Sequence, residues 1–151
     1  MNVLMVCLGN ICRSPLAEGI LKSKVNPESV HVDSAGTAGY HIGNPPDPRS
    51  IKVAKEHGID ISQQRCRKFT SADFKAFDII YAMDKSNYGN ILDLAKSDTD
   101  KQKVHLLLNE IDVKHKEVPD PYYDEQDGFE KVYQMIDKAC VVIAAKLKNK
   151  G

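Results

Sequence analysis

The sequence has no surplus of either charge: its 151 residues carry 21 basic and 21 acidic side chains. Chains that neutralise many nucleic-acid phosphates show a basic excess, so nucleic acid is not an expected partner and any phosphate should be held at a local site. Long apolar runs are missing too, and none approaches the roughly 20 residues that a membrane-crossing helix needs. The stretch Met1 to Val6 lacks a charged leader and a small-residue cleavage site, so it reads as a core strand, not a signal peptide. Cysteine is sparse. Cys7, Cys12, Cys66 and Cys140 are too few and too uneven for a disulfide framework in a chain of this length. No Cys-x-x-Cys pair occurs and the histidines show no ligand spacing, so neither a metal nor another cofactor is expected. Repeats, low-complexity segments and linkers are also lacking. These absences point to a soluble, cytoplasmic, metal-free monomer with no membrane partner, built as one domain over residues 1–151.

What is present is an alternation of short β-rich runs with longer helical ones. Val3-Leu4-Met5-Val6 is continuous and apolar, as in a strand buried on both faces. Ser14 is a good N-cap for the helix that follows, with Pro15 at its first position, Glu18 in its first turn and Leu16, Ala17, Ile20 and Leu21 on one face. Further strands are expected at 30–34, 77–82 and 103–107, and helices at 47–57 and 85–95, with Gly58 closing the first of these. The last helix, about 125–148, carries Phe129, Val132, Tyr133, Ile136, Cys140, Ile143 and Leu147 at three- and four-residue steps. That stripe makes Cys140 a small core residue. Strands alternating with helices imply an α/β fold, a mostly parallel sheet wrapped on both faces. Ligands of such sheets bind beyond the carboxyl ends of the strands, where strand order reverses.

The chemistry-bearing segment lies just there. Cys7-Leu8-Gly9-Asn10-Ile11-Cys12-Arg13-Ser14 joins a buried strand to a helix start. Unpaired amides at a helix N-terminus form a ready anion site, and Gly9 lets the backbone curl around a tetrahedral oxyanion. Helix N-termini and neighbouring cations favour the thiolate of a cysteine, so Cys7 at the floor of such a cradle is a candidate nucleophile. Arg13 offers a planar fork matched to two phosphate oxygens. The Ser14 hydroxyl can donate to the sulfur as it leaves, and the Asn10 amide can pin an unusual loop conformation. Separately, a strand-end thiol and a surface arginine are ordinary; as Cys-x5-Arg-Ser between strand and helix they point to phosphate chemistry. The Walker pattern Gly-x4-Gly-Lys is absent, which disfavours nucleotide triphosphates.

This segment, continued by Pro15, resembles the signature of the low-molecular-weight protein tyrosine phosphatases. The likeness extends through Asp33-Ser34-Ala35-Gly36-Thr37, Pro46-Asp47-Pro48-Arg49 and Met83-Asp84 to Asp120-Pro121-Tyr122-Tyr123, and so covers nearly the whole chain. It implies a doubly wound sheet of four parallel strands, with helices on both faces, and hydrolysis of phosphotyrosine and small aryl phosphates through a phosphocysteine. It also places the general acid at Asp120, which local chemistry alone would not bring over the loop. Partners on this reading are phosphotyrosine-containing proteins, with phosphate or other oxyanions as product or inhibitor.

The substrate contacts expected on the same reading are Leu8, Gly9, Asn10, Ile11, Cys12 and Ser14 in the loop, with Tyr122 and Tyr123 walling a groove and Tyr40 at its rim. Cys12, five residues after Cys7, could form a reversible disulfide with it and guard it against overoxidation. Cys66, in the basic stretch Arg65-Cys66-Arg67-Lys68, reads as a chance cysteine on a solvated or partly packed segment. One departure stands out: where the family commonly has a histidine in a network with the residues matching Ser34 and Asn10, this chain has Gln64. Three rivals use similar loops. Arginine phosphatases of this fold typically carry threonine at the Ile11 position and lack the tyrosine pair. Arsenate reductases need a downstream cysteine pair, and here Cys66 and Cys140 lie far apart. A phosphate-binding module without turnover would not need Cys7, Arg13 and Asp120 together.

Overall fold

The computed structural model describes residues 1–150. Its centre is β1 (Asn2–Cys7), flanked by β2 (His31–Gly36) and β3 (Ile79–Ala82), with β4 (Val104–Leu106) beyond β3. The order is β2-β1-β3-β4 and every pairing is parallel. The chain steps outward from β1 to β2 and then returns to its other side, so strand order reverses beside β1. A ligand crevice belongs at the carboxyl end of that strand.

Side-chain alternation along β1 explains the two layers. Val3, Met5 and Cys7 join a core built with α1 (Arg13–Lys22), α2 (Pro48–Glu56) and α6 (Gln126–Lys150), whereas Leu4 and Val6 face the opposite layer. There they meet Phe74 of α3 (Asp73–Ala76), Ile80 of β3 and Ile91 of α4 (Lys85–Leu92). Residues of both pleat faces are thus buried, as a continuous apolar run requires. The short α5 (Asp98–Gln102) and a 3₁₀ turn at Leu107–Glu110 complete the fold. Among the described residues, no helix is long and apolar enough to cross a membrane.

The α6 stripe lies buried throughout, with Cys140 fully inside. Asp47 caps α2 by accepting from the Arg49 amide at 2.8 Å, and Gly58, at φ 81°, ends it in the left-handed conformation that glycine adopts freely. The start of α1 differs from expectation. Cys12 occupies the N-cap without any side-chain cap bond, Ser14 is the second helical residue and Pro15 the third. Pro15 is tolerated there because first-turn amides have no intrahelical partner anyway. Glu18 lies past the first turn and is buried. β2 runs two residues further than expected because Ala35 and Gly36 pair with Val6 and Cys7. β3 starts two residues late because the Phe77 amide closes α3 on the Asp73 carbonyl.

Candidate active site

The loop from Cys7 to Arg13 is held from outside at nearly every step. The Cys7 and Leu8 carbonyls accept from Thr37 and Ala38, both at 2.9 Å, and the Ile11 carbonyl accepts from Asp47 at 2.8 Å. Asn10 has φ 57°, the only positive φ outside glycine among the described residues. Left-handed backbone is costly for a residue with a Cβ and persists only when its surroundings fix it. Here they do: its side-chain amide donates to the Ser14 and Ser34 hydroxyls at 2.8 and 3.0 Å, and its side-chain oxygen accepts from the Arg67 amide at 3.0 Å. Ser34 in turn donates to the buried Glu18 carboxylate at 2.6 Å, whose other oxygen pairs with Lys22 at 2.6 Å.

Two expectations about this network change. Gln64 is not part of it; its amide donates to the Pro15 carbonyl at 3.1 Å, and Glu18 stands next to Ser34 instead. The neutral Gln64 side chain is engaged by the α1 backbone, while the Glu18 carboxylate on α1 meets the Ser34 hydroxyl of β2. Cys66 is neither solvated nor idle in packing: it is 5% exposed and donates its S–H to the Asn10 carbonyl at 2.8 Å. It lies behind the loop because the backbone at 66 is tied to Asn44 and Gly43.

Arg13 is almost fully buried, yet its guanidinium is oriented. One terminal nitrogen donates to Asp84 at 2.7 Å and to the Val118 carbonyl at 3.0 Å, while the other lies 3.7 Å from Asp120. Burial opposes its charge, but the Cys7 sulfur and then the Asp84 carboxylate outweigh that and hold it above its ordinary value. The Arg13 Nε has no partner within the chain. Burial, aided by Asp47 and Cys7, pushes the Cys12 thiol far up, so Cys12 is a neutral thiol at physiological pH. All four cysteines are free.

These groups open into a cleft of about 330 Å³. Cys7, Cys12 and Arg13 lie buried at its base, with Gly9 beside them. Leu8, Ile11 and Tyr122 form apolar sides, and the exposed Tyr40 and Tyr123 rings border it. Tyr122 and Tyr123 meet edge to face with ring centroids 5.0 Å apart. Asp120 reaches the same cleft, and its carboxylate accepts from the Tyr122 amide at 3.1 Å. The structure therefore brings together ten of the twelve residues picked from sequence. Asn10 and Ser14 stand behind the loop and shape it without lining the cleft. Sequence reasoning passed over His41, which lines the cleft beside Gly9, and Asp84, seen only as part of a resemblance. A histidine next to the aromatic Tyr40 was the available hint. Among the described residues, no group of three or more His, Cys, Asp or Glu side chains could hold a metal ion.

The doubly wound α/β sheet carries at its switch point a strand–loop–helix turn with a buried thiol and an oriented arginine, an architecture shared with phosphatases. Residues 2–151 match the family described as low molecular weight phosphotyrosine protein phosphatase. The human protein of that name is 43% identical over 147 residues, covering 92% of this chain and 90% of its own. The Schizosaccharomyces pombe protein of that name is 43% identical over 144 residues, covering 90% of each chain. A crystal structure of a protein tyrosine phosphatase from Entamoeba histolytica superposes with a TM-score of 0.93 at 41% identity, covering 99% of this chain and 98% of that one. Vibrio vulnificus Wzb, solved with benzylphosphonate, gives 0.87 at 34% identity, covering 96% and 97%. The chain belongs to the low molecular weight phosphotyrosine protein phosphatases, a family of hydrolases.

Proposed function

We propose that residues 1–151 form one phosphatase domain that hydrolyses phosphotyrosine in proteins, and small aryl phosphates, in two steps. Cys7 attacks phosphorus as a thiolate, in line with the departing aryl oxygen, while Arg13 and the loop amides hold the equatorial oxygens. Asp120 protonates the leaving oxygen; the S–P bond forms as the P–O bond breaks. Water then attacks the phosphocysteine, giving its proton to the Asp120 carboxylate, and the sulfur departs toward the Ser14 hydroxyl. The observation that carries this reading is the placement of Cys7, Arg13 and Asp120 on one cleft with apolar sides at Leu8, Ile11 and Tyr122. A phosphate on a phenyl ring can span such a cleft from rim to base, whereas phosphoserine is shorter.

Apolar Ile11 and the tyrosine pair favour an aryl ester over phosphoarginine. Buried Cys140, remote from the cleft, offers no relay for arsenate reduction. We further propose a monomer acting in the cytoplasm, with Cys12 protecting Cys7 through a reversible disulfide. The test is hydrolysis of phosphotyrosine and phosphoarginine peptides by wild type, Cys7→Ser and Asp120→Ala. Phosphotyrosine turnover should vanish in Cys7→Ser and fall by roughly 10²–10⁴ in Asp120→Ala. No turnover by wild type would end the reading, and a preference for phosphoarginine would redirect it.

A further inference from the structure

Asp120 does not lie on a helix or strand. It belongs to the irregular segment between the 3₁₀ turn and α6, and its carboxylate is 43% exposed. Two of the contacts that shape this segment are internal to it: the Tyr122 amide on Asp120 and the Asp124 amide on the Pro121 carbonyl at 2.9 Å. Internal bonds fix a turn's shape but not its place relative to Cys7. Upstream, Val118 is tied to Met83 and to Arg13. Downstream, the tie comes from α2.

Arg49 supplies it. Its two terminal nitrogens donate to the Asp124 and Tyr122 carbonyls, each at 2.8 Å. The guanidinium is itself immobilised: Nε and a terminal nitrogen fork onto the Asp47 carboxylate at 3.0 and 2.9 Å, and its plane carbon lies 4.5 Å from the Phe129 ring centroid. Asp47 is bonded through its own amide to the Ile11 carbonyl of the phosphate loop at 2.8 Å. One side chain thus connects the loop that carries the nucleophile to the segment that carries the acid. A planar fork can serve four acceptors at once, and lysine cannot.

We propose that Arg49 is a positioning residue that holds Asp120 over the leaving oxygen, an inference that rests on Asp120 being the proton donor. A misplacement near 1 Å can cost on the order of a hundredfold in rate. The cost falls on esters that need the proton. Phenyl phosphate, whose leaving oxygen is about as basic as that of tyrosine (roughly 10), needs it most; 4-nitrophenyl phosphate needs it less. A merely structural arginine would instead lower the fraction of folded enzyme and slow every ester alike.

The test measures kcat/KM across a series of substituted phenyl phosphates for wild type, Arg49→Ala, Arg49→Lys, Asp120→Ala and the Arg49→Ala/Asp120→Ala double variant, with melting temperatures alongside. Arg49→Ala should lose about tenfold more on phenyl than on 4-nitrophenyl phosphate. Arg49→Lys, which keeps the charge but not the fork, should show the same bias and serves if the alanine variant does not fold. In the Asp120→Ala background, Arg49→Ala should add no further bias. A uniform loss across the series, or a bias that persists in full without Asp120, would overturn the proposal. If Asp120→Ala shows no bias while wild type turns over, the acid assignment has failed, and the positioning role with it.

Discussion

The Ser14 hydroxyl oxygen lies 3.1 Å from the Cys7 sulfur, and the Asn10 amide donates to that same oxygen at 2.8 Å. With one lone pair occupied by Asn10, the hydroxyl can turn its proton to a Cys7 thiolate; its other acceptor, the Ala35 carbonyl, is 3.5 Å away. A hydrogen bond to a charged group contributes about 1.5–3 kcal/mol, or roughly ten- to a hundredfold in rate. Ser14→Ala should therefore lower kcat by that factor and KM with it, since slowing the second step alone leaves kcat/KM unchanged. Rapid-quench trapping should find more phosphoenzyme at steady state, because on the proposed mechanism the sulfur is the leaving group of the second step. An unchanged kcat would show that the contact does not stabilise the departing sulfur.

Asp84 faces the buried Arg13 at 2.7 Å and caps α4 through the Asn87 amide at 2.8 Å. Removing one partner of a buried pair leaves an uncompensated charge, at about 3–5 kcal/mol. Asp84→Asn keeps a cap acceptor but loses the charge, so thermal unfolding should shift down by an amount near the lower end. Saturating phosphate should recover part of it, since a bound oxyanion supplies the missing negative charge. A variant as stable as wild type, or one indifferent to phosphate, would argue that Arg13 is compensated elsewhere.

Gly36 packs against the phosphate loop so closely that a Cβ would sit 2.8 Å from the Leu8 carbonyl oxygen and 3.1 Å from the Asn10 amide nitrogen. Both neighbours are backbone and cannot rotate away. Gly36→Ala should displace the loop at a cost of about 1–3 kcal/mol. Phosphate should then inhibit more weakly by a similar factor, because the loop proposed to hold it has moved. Inhibition as strong as in wild type would mean that β2 yields instead of the loop.

The main layers of this arrangement were legible from periodicity. The apolar run of β1, the stripe of α6 and the Asp47 cap with Gly58 each express a local preference that the fold obeys. The phosphate loop was legible because its chemistry is contiguous. What sequence left out is non-local: Cys66 under Asn10, Glu18 under Ser34, Asp84 on Arg13 and Arg49 on the segment that carries Asp120 join residues 16 to 75 positions apart. The start of α1 was misplaced for a related reason. A serine at a strand-to-helix junction ordinarily caps, but here Cys12 takes the N-cap position and the Ser14 hydroxyl turns to the sulfur. Asp120 became a candidate through family likeness, and only the folded chain brings it within 3.7 Å of Arg13.

Cys66 offers a pH-dependent check on the packing behind the loop. Burial, reinforced by the Cys7 sulfur, pushes its thiol up to about 11. A folded value above the unfolded one means that the neutral S–H form is favoured by folding. Its contribution is complete below the ordinary thiol range and is lost as pH rises through about 11. Iodoacetamide at a pH of about 7.5 should thus alkylate Cys7, which opens into the cleft, with phosphate protecting it, and leave Cys66 unlabelled until the chain unfolds. Labelling of Cys66 should rise only as the pH approaches about 11, in step with a fall in melting temperature that Cys66→Ala should blunt. Peptide mapping by mass spectrometry reads both sites at once. Rapid alkylation of Cys66 in the folded protein near neutral pH would show that its thiol is not held against the Asn10 carbonyl.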